Sequence, residues 1–241
     1  MNKSINISIC IPACNEQKSL RSAVEDLILA LSAYVNELEI IIVNDGSQDA
    51  TAHIAEQLAE KHSNLIKIIH HKKCLGIGTS YRDALAIAKG DYFTWFPADH
   101  ENSAAELISC LNHLKENAIV TCHHRGKDPR SLWRRGISSF YTWGLNRYLH
   151  VNLRYYNGLT IFPIEALRSF PLLANGVFLL AESIVRAIKM GYNVIELSAP
   201  LQKRNYGKSK ALSFNSIKQI LRDSFYLLFK NKWGKGILDE D

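Results

Sequence analysis

The chain has little material for covalent or metal cross-links. Its five cysteines are odd in number, and no two of them have the Cys-x-x-Cys spacing that is typical of zinc or redox sites. We therefore predict reduced thiols in a cytoplasmic protein. His100, His123 and His124 lack zinc spacing and a cysteine pair to complete a site, so we expect no structural zinc. The cysteines are Cys10, Cys14, Cys74, Cys110 and Cys122.

Long hydrophobic stretches are also missing. No window approaches the roughly 20 apolar residues that a membrane helix requires. The start, Met1-Asn2-Lys3-Ser4, is not followed by the apolar stretch of a signal peptide. We find no internal repeats and no low-complexity linker. These absences predict a globular protein in the cytoplasm or at the cytoplasmic face of the inner membrane.

The charge balance is basic. Of the 241 residues 47% are hydrophobic and 22% charged, which is typical of a packed globular protein. The formal net charge is +6 and the pI is about 9.0, which favours an anionic partner such as a nucleotide, a phosphate or an acidic lipid. Because no RNA-binding motif is present, we expect no nucleic-acid partner.

Strand and helix patterns alternate along the first half of the chain. Apolar or β-favouring strands are predicted at 5–11, 39–43, 65–69, 92–96 and 118–122, with amphipathic helices between them. This alternation predicts an α/β fold with a mainly parallel sheet flanked by helices. The second half is less regular: we predict helices at 130–150, 164–170 and 177–190, and strands at 155–162 and 194–197. We expect one domain over 1–212 and an amphipathic helical tail over 213–241.

The stretch from Gly90 to Asn102 is the predicted chemical centre. Its apolar strand ends in two carboxylates, Asp99 and Glu101, which point the same way if the chain stays extended. Ligands of open parallel sheets bind beyond the carboxyl ends of the strands. Both carboxylates therefore have the position required to hold one cation.

Several motifs together resemble those of family-two glycosyltransferases with the GT-A fold. They are Ile11-Pro12-Ala13-Cys14-Asn15-Glu16, the Val43 to Thr51 stretch containing Asn44-Asp45-Gly46-Ser47, and Pro97-Ala98-Asp99. Further motifs are similar to those of the polyprenyl-phosphate branch, typified by dolichyl-phosphate mannosyltransferase. These are Trp133-Arg134-Arg135, Tyr156-Asn157-Gly158-Leu159, Glu182 with Arg186, and the Arg204 to Lys210 loop. The resemblance covers roughly residues 5–212.

The resemblance implies a UDP- or GDP-sugar donor and a divalent cation, Mg²⁺ or Mn²⁺. By resemblance, Asp45 hydrogen-bonds the donor's base, and the donor site comprises Pro12, Asn15, Glu16, Asp45, Gly78 and Asp99. By resemblance also, Asp99 and Glu101 hold the metal. The chain departs from the family's Asp-x-Asp motif, because its first position is Pro97, which offers neither a carboxylate nor an N–H.

The resemblance further implies a polyprenyl phosphate acceptor. The residues implied to surround the acceptor phosphate and the donor diphosphate are Arg125, Arg134, Arg135, Arg204, Ser209 and Lys210. The residues implied in catalysis are Asp99, Glu182, Arg204 and Lys210. Arginine's planar fork suits phosphate oxygens. The basic tail residues and the apolar face from Ile217 to Leu228 predict reversible attachment to a membrane surface. The alternative is a helix that packs on its own domain or on a membrane partner subunit.

Each assignment has a structural alternative. Asn44 to Ser47 is also typical of a simple turn in which Ser47 caps the next helix. Glu182 and Arg186 have the spacing of an ion pair within a helix. Two other functions remain open: transfer to a hydroxyl acceptor, with Glu182 as the base, and a non-catalytic nucleotide-binding module that lost its metal with the change to Pro97.

Overall fold

The computed structural model describes residues 5–99, 102–125 and 132–200. Seven strands and seven helices occur in these ranges. The strands are β1 (Asn6–Ala13), β2 (Glu37–Asp45), β3 (Ile66–His71), β4 (Tyr92–Trp95), β5 (Ala118–Arg125), β6 (Thr160–Pro163) and β7 (Asn193–Pro200). The helices are α1 (Leu20–Leu31), α2 (Thr51–Lys61), α3 (Ile77–Ile87), α4 (Ala104–Asn112), α5 (Leu132–Leu149), α6 (Ile164–Arg168) and α7 (Phe178–Lys189).

All seven strands form one sheet in the order β3-β2-β1-β4-β6-β5-β7. The strands β1, β2, β3 and β4 are mutually parallel, and β7 is parallel to β5. Their near-continuous apolar runs suit strands that are covered by helices on both faces. The predicted α/β fold with a mainly parallel sheet is therefore confirmed.

One strand, β6, runs antiparallel to both of its neighbours, β4 and β5. The strand predicted over 155–162 is shorter than expected, because only Thr160–Pro163 joins the sheet. Before it, the chain bends so that Tyr156 is buried and its hydroxyl donates to Asn146 Oδ1 over 2.8 Å. Gly158 lies under the Cys122 carbonyl, where any side chain would collide with the backbone.

Two hydrophobic clusters cover the two faces of the sheet. Alternate residues of β1 separate between them: Ile7, Ile9 and Ile11 belong to one cluster and Cys10 to the other. The first cluster also contains apolar residues of α1, α2 and α4, and the second contains those of α3, α6 and α7. This layered packing leaves the ends of the strands as the part of the sheet that ligands can reach.

The local helix signals had mixed outcomes. The segment Ser103-Ala104-Ala105-Glu106 has the sequence of a capping box. Its first half is present, since the Ser103 hydroxyl accepts a hydrogen bond from the Glu106 N–H, while the Glu106 carboxylate accepts from Asn102 Nδ2 over 2.8 Å. Ser47 does not cap α2, which begins after Ala50; the Asp49 carboxylate accepts from the Thr51 N–H instead. The predicted tail, 213–241, lies outside the described residues. Within the ranges described, no helix combines the length and apolar character needed to span a bilayer.

Candidate functional site

The candidate site lies where the carboxyl ends of three parallel strands meet. β1 lies between β2 and β4 and is parallel to both. The chain moves outward from β1 to β2 and β3, then crosses back to β4 on the other side. Such a reversal of strand order opens a crevice at the carboxyl edge. Asp45 ends β2, and Asp99 follows β4 by four residues, so both carboxylates lie at this edge.

Asp45 is 4% exposed, and both of its oxygens accept hydrogen bonds. Oδ1 accepts from the Leu75 N–H at 2.7 Å, and Oδ2 accepts from the Gly76 N–H at 2.9 Å and the Cys74 thiol at 3.3 Å. Burial alone would raise the pKa of Asp45, but the hydrogen bonds from Leu75, His71, Gly76 and Cys74 outweigh it and lower that pKa. Asp45 is thus held as a carboxylate against the loop that precedes α3.

A histidine extends this arrangement. His71 Nδ1 lies 2.8 Å from Asp45 Oδ1, and its Nε2 lies 3.0 Å from Asp83 Oδ2. The histidine side chain is only 6% exposed. In its imidazolium form the ring donates to both carboxylates at once. It therefore joins the end of β2 to α3, the helix that follows the loop at 72–76.

The loop before α3 is pressed against two other segments. Gly46 has φ +63°, and a side chain there would collide with the backbone of Lys73 and Cys74. Gly78 donates its N–H to the Asn175 carbonyl over 3.0 Å, and a Cβ at Gly78 would lie 2.5 Å from the Ala174 carbonyl oxygen. The predicted donor residue Gly78 is therefore a position of close backbone approach.

The loop after β1 is joined to the loop after β2. The Asn15 N–H donates to Ser47 Oγ over 3.0 Å, and Asn15 Oδ1 accepts from the Gln48 N–H over 2.8 Å. Glu16 is half-buried, and its N–H donates to Thr51 Oγ1 over 2.8 Å. Pro12 is half-buried and is the penultimate residue of β1. The structure thus brings the predicted donor residues of both loops together at one edge.

Asp99 is half-exposed and lies beyond the buried residues Phe96 and Ala98. Its carboxylate is a hard oxygen ligand at the crevice and so suits Mg²⁺ or Mn²⁺, whose other ligands would include oxygens of the sugar donor's diphosphate. Pro97 supplies no ligand. In the described ranges no three His, Cys, Asp or Glu side chains converge as a metal cage. The predicted second metal ligand, Glu101, lies outside those ranges.

Glu182 is fully buried in α7, away from solvent. Its carboxylate accepts from the Leu173 N–H at 3.0 Å, the Ala174 N–H at 2.9 Å and Arg186 Nε at 3.0 Å. The predicted alternative, an ion pair with Arg186 four residues along the helix, is confirmed. Because Ala174 and Asn175 contact Gly78, this buried pair supports the loop that holds Asp45.

Of the predicted acceptor arginines, the backbone of Arg125 can be placed at the same edge of the sheet. β5 is parallel to β4, because β6 is antiparallel to both, so Arg125 ends its strand at the carboxyl edge. Arg135 is exposed in the first turn of α5. β7 also ends at this edge and leads toward 201–212. Arg204, Ser209 and Lys210 lie outside the described residues, and Arg134 lies within α5.

Residues 8–175 match the family described as Glycosyl transferase family 2. The chain belongs to this family. An uncharacterised glycosyltransferase of Rickettsia prowazekii is 33% identical over 129 residues, covering 52% of this chain and 38% of the relative. Dodecaprenyl-phosphate galacturonate synthase of Rhizobium johnstonii is 22% identical over 240 residues, covering 96% of this chain and 70% of the relative. The match thus spans 38% and 70% of the lengths of these two relatives.

Solved structures of the same fold include glucosyl-3-phosphoglycerate synthase from Mycobacterium tuberculosis in complex with Mg²⁺ and UDP. Its TM-score is 0.71 at 18% identity, and the match covers 93% of this chain and 79% of that one. The likeness confirms the predicted GT-A fold. It is a likeness of fold alone at this identity.

For this family-two glycosyltransferase, sequence reasoning missed His71 and Asp83. Neither belongs to a motif, and a lone histidine in a strand is most often a core residue. The only available signal was register: His71 is paired with Asp45 across β2 and β3. Finding that pair requires the strand alignment, which local sequence patterns do not contain.

Proposed function

We propose that this chain is an inverting glycosyltransferase that moves a sugar from a nucleoside diphosphate sugar to a polyprenyl phosphate. The observation that carries the donor half is the crevice between β1 and β4, with Asp45 and Asp99 at its edge. The acceptor half is supported by relatives named for polyprenyl phosphates, including undecaprenyl-phosphate 4-deoxy-4-formamido-L-arabinose transferase of Photorhabdus laumondii, 29% identical over 132 residues. The basic position at the same edge, Arg125, suits an anionic acceptor.

In the proposed reaction, an oxygen of the acceptor phosphate attacks the anomeric carbon from the face opposite the leaving group. The bond from that carbon to the diphosphate breaks, and the nucleoside diphosphate departs. A phosphate monoester is already ionised near neutral pH, since its second pKa is about 6. The acceptor therefore needs positioning and charge compensation, and no strong general base.

The residues of this chain would share that work as follows. The two loops that carry Asn15 and Asp45 bind the nucleoside, with the His71 ring orienting the Asp45 carboxylate. Asp99, with Glu101, would hold a divalent cation whose chemistry is to neutralise charge on the leaving diphosphate. Arg204 and Lys210 would compensate the acceptor phosphate, where charge-assisted hydrogen bonds are about twice as strong as neutral ones.

The second candidate is transfer to a hydroxyl acceptor, which requires a carboxylate base. The relevant observation is the solved neighbour, a synthase of a glucosylated phosphoglycerate. Glu182 was the predicted base for this reaction. Its carboxylate is fully buried and accepts hydrogen bonds from Leu173, Ala174 and Arg186, which makes it poorly placed to act as a base. This observation supports an anionic acceptor over a hydroxyl acceptor.

The donor half is tested by thermal shift, titrating Mn²⁺ together with candidate UDP- and GDP-sugars. We expect one nucleotide to stabilise the protein in a metal-dependent way, and Asp99→Asn to abolish that dependence and the transfer. Glu101→Gln should weaken both through lower cation affinity. Full activity and full metal dependence in Asp99→Asn would place the metal elsewhere.

The acceptor half is tested by kinetics with a short-chain polyprenyl phosphate, the matched free alcohol and phosphoglyceric acid. We expect turnover with the phosphate only, and a loss of at least about tenfold in Arg204→Ala and Lys210→Ala, equivalent to one charge-assisted contact of about 1.5–3 kcal/mol. Turnover of the alcohol or of phosphoglyceric acid would instead favour the hydroxyl acceptor.

A further inference from the structure

Helix α5 has one face packed in the protein and one face exposed. On the inner side, Leu145 is 5% exposed, and Tyr141 makes edge contacts with the rings of Tyr156 and Phe178. Asn146 is tied to the Leu153 backbone by two hydrogen bonds. The inner face therefore fixes the helix, so the direction of its outer face is set by the fold.

The outer face carries a pair of aromatic side chains. Phe140 is 72% exposed and Trp143 is 62% exposed, and their rings stack with centroids 5.8 Å apart at 30°. Single exposed apolar residues are normal on protein surfaces, whereas contiguous ones mark interaction sites. Leu29, at 83% exposure on α1, is an example of the isolated kind.

The charge of α5 indicates which partner fits. Arg147 is exposed and follows Trp143 by four residues, so both lie on one helical face. The helix Leu132–Leu149 contains three arginines and no aspartate or glutamate. A second copy of this face would therefore bring arginine against arginine without a carboxylate. An anionic lipid surface supplies the missing negative charge.

We propose that the α5 face, defined as Phe140, Trp143 and Arg147, binds an anionic membrane surface. Phe140 and Trp143 would insert at the boundary of headgroups and acyl chains, which is where tryptophan is enriched, and Arg147 would contact lipid phosphates. This deepens the proposed function and rests on it in one respect, since a polyprenyl phosphate is presented at a membrane. It would also place Arg135, two turns before Trp143, near the headgroups.

The test is flotation of the full chain with phosphatidylcholine vesicles, with and without phosphatidylglycerol. We expect Phe140→Ser/Trp143→Ser to lower the partition coefficient on anionic vesicles at least tenfold, while the control Leu29→Ser binds as the wild type. Arg147→Gln should reduce the preference for phosphatidylglycerol. Brominated lipids should quench wild-type tryptophan emission more than that of Trp143→Phe.

Equal binding by the double variant and the wild type would overturn the proposal, because 213–241 is retained in both and would then account for attachment. A wild-type dimer in light scattering that the double variant dissociates would also overturn it in favour of a second copy. Transfer to a water-soluble short-chain acceptor is measured separately and should be unchanged in the double variant. If the wild type fails to catalyse that transfer, the proposed function is contradicted. The membrane-binding proposal is still decided by the vesicle experiment alone.

Discussion

Asp45 shows how one carboxylate serves both the fold and the proposed chemistry. Its oxygens already accept from Leu75, Gly76, His71 and Cys74. A nucleotide base that donates to Asp45 must replace one of these partners. The thiol of Cys74, at 3.3 Å, is the weakest donor of the four, so we expect it to yield first. Cys14 lies 4.0 Å from that thiol, on the loop after β1.

Asp45→Asn should change how stability depends on pH. The folded pKa of Asp45 is lowered, so its contribution is complete above the unfolded aspartate value of about 3.9 and is lost as the pH falls through the lower folded value. Urea unfolding between pH 6 and pH 3 should therefore show a shallower acid loss in Asp45→Asn than in the wild type. The exposed Glu60→Gln is the control. Parallel acid curves for Asp45→Asn and the wild type would contradict this assignment.

Glu182→Gln tests a buried ion pair. The change removes the charge that pairs with Arg186, which is 9% exposed, and the carboxylate oxygens that accept from the Leu173 and Ala174 N–H groups. Breaking such pairs typically costs 3–5 kcal/mol, so we expect a loss of about that size in urea unfolding. Glu165→Gln, on the exposed side of α6, should be nearly neutral.

The kinetic consequence separates positioning from base catalysis. With a polyprenyl phosphate acceptor, Glu182→Gln should raise the donor KM more than it lowers kcat. Its loss of kcat should be smaller than that of Arg204→Ala. A kcat defect larger than that of Arg204→Ala, at unchanged donor KM, would restore Glu182 as the base.

At the level of secondary structure, Gly78 lets the backbone of α3 approach the Ala174 carbonyl more closely than any other residue would allow. Replacing a glycine inside a helix by alanine normally stabilises the protein by about 1 kcal/mol. At Gly78 the added Cβ would lie 2.5 Å from the Ala174 carbonyl oxygen, so the backbones must separate. Gly78→Ala should therefore destabilise the protein and weaken nucleotide binding. Gly144→Ala in α5, where a Cβ meets nothing within 4 Å, should be stabilising. The same sign for both in urea unfolding would refute the contact.

The elements were predictable to different degrees for physical reasons. Buried strands such as β1 and β2 are visible because apolar residues dominate them, and α4 because of its cap. The antiparallel position of β6 between β4 and β5 cannot be predicted from the sequence pattern, because it depends on tertiary packing. The strand over 155–162 was overestimated for a related reason: local β propensity there is overridden by the burial of Tyr156 and the close approach at Gly158.

The candidate site was predictable where it depends on motifs. Asp45 and Asn15 could be placed because the ends of parallel strands share one edge of the sheet. The structural partners of Glu182 beyond Arg186 could not, because Leu173 and Ala174 contact it through backbone N–H groups, which leave no trace in residue type. His71 and Asp83 were missed because their contacts depend on strand register and helix placement.

For the whole molecule, the net charge of +6 raises the question of which surface meets an anionic partner. Removing 213–241 should weaken flotation with anionic vesicles. That segment carries several basic residues, and each contributes about 1 kcal/mol near an anionic surface, so at least tenfold weaker binding is expected. They include Lys218, Arg222, Lys230 and Lys232. Equal binding by the chains ending at 241 and at 212 would refute this role for the segment.

Combining that truncation with Phe140→Ser/Trp143→Ser shows whether the molecule has two membrane contacts or one. Independent contacts that do not touch give losses of binding free energy that add within about 0.5 kcal/mol. If 213–241 instead packs on the α5 face, removing the segment uncovers Phe140 and Trp143, and the two losses do not add. We expect additive losses, measured as the four partition coefficients of a double-mutant cycle on the same vesicles. A coupling free energy well above 0.5 kcal/mol would show that the segment and the α5 face interact with each other.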